Sequence, residues 1–253
     1  MSRLHLVIAV AALAVAGGLF TAPVAAHAQM PSKNRVCVEV AHQPRFWGDP
    51  ADMPRIDPTR VDRVKYLTGE LGKTAAAVNA SVSYVKNEIT VESLKGCDLL
   101  FIHIPSAKYT AGEVSAVGAY IRGGGSLFLA MDQDMWSTLE QTNVNDLIRP
   151  FDIQFGGESP DTQAGGHTSP GPVTAARLKI SYHGARTVTG GTPFAFNDRS
   201  DANPFGIFKE VGNGGRIMVM GDGMVSLYMT SWEGVQDYQC QELMQAAFRW
   251  LLK

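Results

Sequence analysis

Nowhere in these 253 residues do basic side chains run together. Lysine and arginine number 22 against 24 acidic residues, for a formal net charge of −2. Without a basic patch to meet phosphates, nucleic acid and anionic membrane surfaces are poor partners. Past the N-terminus, no apolar stretch approaches the ~20 residues of a membrane span. No Walker sequence occurs. The one glycine triplet, Gly123-Gly124-Gly125, closes an expected helix and precedes a strand. A dinucleotide loop has the opposite order, a strand first and then a helix whose N-terminus meets the phosphates. Cysteine is scarce: Cys37, Cys97 and Cys240. One disulfide would leave one thiol over. Cys37 and Cys97 both stand near the start of expected strands and can pair if those strands are neighbours. Three buried thiols packing as small hydrophobes are the alternative.

The N-terminus itself is apolar. Arg3 is followed by an apolar run over residues 4–20, then by Ala26-His27-Ala28, a small-x-small cleavage pattern. This reads as a signal peptide over 1–28, with 29–253 as one domain and a secreted or periplasmic location. An uncleaved anchor is the alternative.

The rest is organised around residues 97–132. Residues 98–104 are apolar and end at Pro105, which suits a strand buried on both faces. Thr110 and Glu113 form a capping box. Val114, Val117 and Ile121 follow at helical spacing, and the glycine triplet stops the helix. Residues 126–131 are a second strand, so the unit is βαβ, parallel and right-handed. Further strands are expected at 35–40, 80–86, 150–155, 185–188 and 192–196, with a hairpin joining 205–211 to 216–220. Helices are expected after Asp57-Pro58, at 143–148 and over 237–252. Residues 156–172 lack periodicity and read as a surface excursion. The expected fold is a three-layer α/β/α sandwich. Its sheet is flavodoxin-like and mostly parallel, with the antiparallel hairpin added.

Several segments carry a family likeness. They are Val40-Ala41-His42, the run 94–105, Gly112-Glu113, the run 123–129, the run 145–151 and the run 215–222. On these the chain resembles the class I glutamine amidotransferase-like superfamily, in a non-catalytic branch. That branch includes gliding-motility transporter accessory proteins and intraflagellar-transport subunits. The resemblance implies a nucleophilic cysteine on a sharp turn after the strand at 126–131, where this chain has Asp132. It also implies a His-x-Glu where this chain has Gly221-Asp222-Gly223. No Gly-x-Ser-x-Gly elbow is present. Amidase and cysteine-protease chemistry are therefore withheld.

In an open parallel sheet the ligand crevice lies beyond the carboxyl ends of the strands. That edge should collect His42, His103, Ser106, Asp132, Asp134 and Asp222, with Phe46, Trp47, Trp136 and Trp232 beside them. The candidate ligand contacts are His42, Trp47, Ser106, Asp132, Asp134, Trp136 and Asp222, with His42, Asp132 and Asp222 converging. Acids beside aromatic faces suit a sugar. The same donors would suit a divalent cation, although no metal or cofactor is assigned. Each residue has a structural alternative: Asp222 capping a turn, His42 bonding loop backbone, His103 filling the core, the tryptophans packing loops. The expected function is a secreted ligand-binding or accessory module, serving a small molecule, a carbohydrate or an envelope complex. A hydrolase of carbohydrate or envelope polymer, using Asp132 and Asp222, is the alternative.

Overall fold

The computed structural model describes residues 33–230 and 237–253. The expected signal peptide and Trp232 lie outside the described residues.

The β-branched run at the start becomes β1 (Asn34–Glu39). Asp57 caps a 3-10 turn that opens α1 (Val61–Ala76), whose Val64, Leu67 and Leu71 are buried. Next come β2 (Ala80–Val85) and β3 (Leu99–His103). The capping box forms as expected at the start of α2 (Ala111–Arg122): Thr110 accepts from Glu113 N and Glu113 answers to Thr110 N. Such a cap contributes about 1 kcal/mol. The positive φ at the helix end falls on Gly124, at 102°, one residue past the cap position Gly123. β4 (Ser126–Ala130) completes the βαβ unit.

The second half holds α3 (Leu139–Thr142), α4 (Asn145–Ile148), β5 (Gln154–Glu158), β6 (Gly166–Thr168), β7 (Lys179–Ile180) and β8 (Arg186–Thr189). It closes with β9 (Thr192–Asn197), β10 (Gly206–Glu210), β11 (Arg216–Met220) and α5 (Cys240–Leu251).

The result is a mixed α/β fold with a nine-stranded sheet in the order β2-β1-β3-β4-β11-β10-β9-β6-β7. Pairing is parallel from β2 through β11 and antiparallel from β11 through β7. The expected sheet was mostly parallel with one added hairpin, and the antiparallel part is larger. Residues 156–172 explain the difference. They contain β6, wholly buried and paired with both β9 and β7. Three residues are too few to show periodicity. Gly166 is required there because a Cβ would stand 2.8 Å from the Phe196 carbonyl oxygen. The strand expected at 150–155 begins later, at Gln154, because Arg149–Phe151 forms a 3-10 turn and Asp152 adopts φ 56°. β5 pairs with β8 in a separate two-stranded sheet.

The central strands are buried on both faces, as period-2 side chains allow. Leu99, Phe101 and Phe128 join one core with Leu67 and Leu71 of α1 and Leu243 and Phe248 of α5. Leu100, Ile102, Leu127 and Leu129 join another with Val117 and Ile121 of α2 and Leu147 of α4.

Because β1 and β3 are neighbours, Cys37 and Cys97 come within 5.9 Å Cα to Cα and are disulfide-bonded. Cys240 is free and buried, and burial pushes its thiol up to about 11. Closing a loop across a separation of 60 residues contributes about 4 kcal/mol on the chain-entropy account. Non-reducing peptide mapping should find one linked Cys37–Cys97 pair. Reduction should lower the unfolding free energy by roughly that amount. Three alkylatable thiols in the unreduced protein would contradict the bond.

Candidate functional site

β3, β4 and β11 run parallel, so their carboxyl ends share one edge. The chain beyond each end is tied to Gly223. Its N–H donates to Asp132 Oδ2 at 3.0 Å, and its carbonyl lies 3.0 Å from His103 Nε2. The second oxygen of Asp132 accepts from Gln133 N at 2.7 Å. Asp222 accepts from Met224 N and from His183 N, each at 2.8 Å. All four carboxylate oxygens thus take backbone N–H groups, and the two residues are 1% and 0% exposed. The flanking glycines are set by close approach. A Cβ on Gly221 would lie 2.0 Å from the Arg186 carbonyl oxygen, and one on Gly223 would lie 2.5 Å from Ile104 Cδ1.

Burial disfavours the charged forms here. Burial, with the charge of Asp222 added, pushes Asp132 well above the ordinary carboxylate range. Donors from Gln133 and Gly223 and the charge of Arg186 oppose it. Burial raises Asp222 to about 7 against its two backbone donors. Burial lowers His103 and His183 to about 4 each, so neither carries charge at neutral pH. The aspartate pair therefore keeps one proton near neutrality and titrates as a unit. Arg186, buried at 2% exposure, turns its guanidinium to Asp134 on the rim.

Asp132 and Asp222 come together as expected. His42 does not point to them. Its Nδ1 lies 3.0 Å from Glu39, its Nε2 3.3 Å from Glu113, and its ring stacks on Tyr109 at 4.0 Å. Burial favours neutral imidazole, but the Glu39 hydrogen bond and both carboxylate charges outweigh it and raise the pKa. Glu113 is lowered: burial acts upward, while N–H donors from Thr110 and Ile89 and the His42 charge act downward. The loop after β1 expected to deliver a ligand contact delivers a buried ion cluster instead.

The other expected contacts are dispersed. Trp47 is buried against Phe101 and His103. Ser106 donates its N–H to the His42 carbonyl and accepts from Gln141 through its own. Trp136 packs edge-on to Phe46 at 5.2 Å, and its carbonyl accepts from Arg45 Nε. Phe46 and Trp136 border a cavity of about 740 Å³, with Gln133, His183 and Met224 on its wall. The aspartates sit one bond network behind that wall. Among the described residues, no group of three or more His, Cys, Asp or Glu side chains is placed to hold a metal ion.

Reading the sequence missed Glu39, His183, Arg186 and the arginines of the cavity. Glu39 sits within a strand that otherwise reads as apolar. His183 contributes through its backbone, which no side-chain motif reveals. Past β4 no described residue holds a positive φ before Asn143, whereas Ile104, just after β3, holds φ 41°. A β-branched residue is costly in that region, and this one offers no nucleophilic atom.

Two outcomes follow from these networks. A raised native carboxylate pKa means that the folded state binds more protons than the unfolded one, so stability falls as pH rises from about 4 to about 7. Asp222→Asn should flatten that slope in denaturant titrations across this range; an unchanged slope would contradict the buried pair. His42 works through the other ionisation. Its raised pKa gives stability that is present below 6.5 and is lost as pH rises through the folded value. His42→Ala, leaving two buried carboxylates uncompensated, should cost about 3–5 kcal/mol at pH 6. A loss below about 1 kcal/mol would contradict the ion cluster.

Residues 65–160 match the family model described as the IFT52 GIFT domain. Among solved structures, the mmIFT52 N-terminal domain overlays with a TM-score of 0.62 at 18% identity, covering 86% of this chain and 97% of that one. The β-galactosidase from Bacillus circulans sp. alkalophilus matches with a TM-score of 0.52 at 11% identity, over 87% of this chain and 31% of its own. A ThuA-like protein from Bacteroides uniformis matches at 0.50 and 12% identity, over 90% and 94%. A search of the curated proteins found no match. These likenesses overturn three expectations: a secreted or periplasmic location, a secreted ligand-binding or accessory module, and a hydrolase of carbohydrate or envelope polymer. Of the resemblance read from the sequence, the part that stands is an intraflagellar-transport-like domain, similar to IFT52.

Proposed function

We propose that this chain is a protein-assembly module of the intraflagellar-transport type. It would use a three-layer, flavodoxin-like scaffold to present surfaces to other subunits. The observation that carries the reading is the overlay on the mmIFT52 N-terminal domain, which spans 97% of that chain. The arrangement of the sheet edge supports it. The positions where this kind of fold can host chemistry hold Ile104 at the strained turn and two aspartates whose oxygens already serve backbone donors. Both carboxylates are also buried, out of reach of a substrate in solvent. No described helix is long and apolar enough to cross a membrane. Trp136, on the cavity wall, is the expected contact residue best placed to touch a partner.

The test uses the tagged full chain expressed in its own cells, with gradient sedimentation and cross-linking mass spectrometry. The chain should sediment within a particle containing the same partner proteins in fixed ratio across preparations. Sedimentation as a single free chain, with no reproducible cross-linked partner, would contradict the proposal.

A further inference from the structure

We infer that the 740 Å³ cavity is a docking groove for an acidic peptide segment of a partner protein, anchored by a large apolar side chain. This deepens the assembly reading and rests on it. The segment after β1 together with the first turn of α1 forms one wall, the turn after β4 another, and Gln163, His183, Met224 and Met229 complete the lining.

Charge complementarity selects the occupant. Arg45, Arg60 and Arg63 line the cavity and are exposed. Arg45 donates to the Trp136 carbonyl, and Arg60 to the carbonyls of Pro44 and Arg45. Arg63 lies over the Phe46 ring at 5.8 Å. None of these contacts uses a carboxylate. Asp62, exposed, stands between Arg60 and Arg63 in sequence, and Asp57 accepts from the backbone and hydroxyl of Thr59, with the Arg60 charge a lesser pull on it. Among the described residues none of these three guanidiniums forms an ion pair with a carboxylate, and guanidinium forks match carboxylates.

The apolar lining selects the anchor. Phe46 and Trp136 meet edge to face, and Met135 extends outward at 71% exposure, the most exposed large apolar side chain among the described residues. Methionine is flexible and polarisable, which suits a surface that reshapes around a side chain of variable form. Aromatic residues, arginine and methionine are enriched where protein partners bind. A cavity of this volume accepts one or two large side chains. Acidic residues on either side of such an anchor would then meet the arginines.

The test is selection of random dodecamer peptides displayed on phage against the immobilised full chain. The best binders would then be synthesised with fluorescein and titrated by fluorescence anisotropy. Enriched peptides should carry Asp or Glu flanking Trp, Phe or Leu. Their affinity should fall with added salt, and Arg63→Glu or Met135→Glu should weaken it about tenfold or more. Both variants change exposed side chains, and unaltered thermal melting would show that the fold is intact. Failure to enrich acidic peptides, or binding indifferent to both substitutions, would overturn the groove. So would binding to phosphatidylserine vesicles in place of peptide. The two readings fail separately. A particle that stays intact with both substitutions while peptide selection fails would remove the groove and leave the assembly reading. Acidic peptides that bind through Arg63, with no particle in cells, would do the reverse.

Discussion

Gly223 is the residue through which the sheet edge holds together. Its N–H reaches Asp132 beyond β4, its carbonyl faces His103 at the end of β3, and it follows β11 by three positions. Three parallel strands are therefore tied at their carboxyl ends through the backbone of one residue. Buried backbone groups must find partners, and here side chains supply them. The consequence is electrostatic. Two carboxylates hidden from water to satisfy backbone donors cannot both be charged at low cost, so the pair retains a proton and the protein becomes sensitive to pH. The same constraint separates structure from function at this edge. The aspartates are consumed by the fold, and the accessible chemistry passes to the arginine and aromatic lining of the neighbouring cavity.

The carboxyl end of β1 follows similar logic. Glu113 begins as a helix-capping residue, but its carboxylate also accepts from Ile89 N and faces His42. A local motif has been drawn into a tertiary ion cluster with Glu39 and Tyr109. This explains why a cap legible as four consecutive residues proved to be a junction of three segments.

Local signals carried the βαβ unit, the hairpin before β11 and the closing helix well, because each depends on periodicity or on turn chemistry. The pairing of Cys37 with Cys97 depended on strand adjacency and was legible only conditionally. What sequence could not give was set by distant contacts. β6 is three residues long and is held by neighbours from β9 and β7. His42 stood one residue from a polar loop and looked available, yet two glutamates far apart in the chain claim it. The positive φ at Ile104 has no sequence signature, since an aliphatic β-branched residue is the last one expected there. The location and activity inferred from the N-terminus and from paired acids gave way to the likeness with IFT52. That likeness, at 18% identity, is one of fold.

Hydrogen exchange at the amides of His183, Gly223 and Met224 tests most directly the claim that buried carboxylates bolt this edge. These three amides donate to Asp222 and Asp132 although none belongs to a strand or helix. The account predicts that they exchange only through global unfolding, with the same free energy as the core of β3 and β4. Exchange at the rate of exposed loop amides would contradict it.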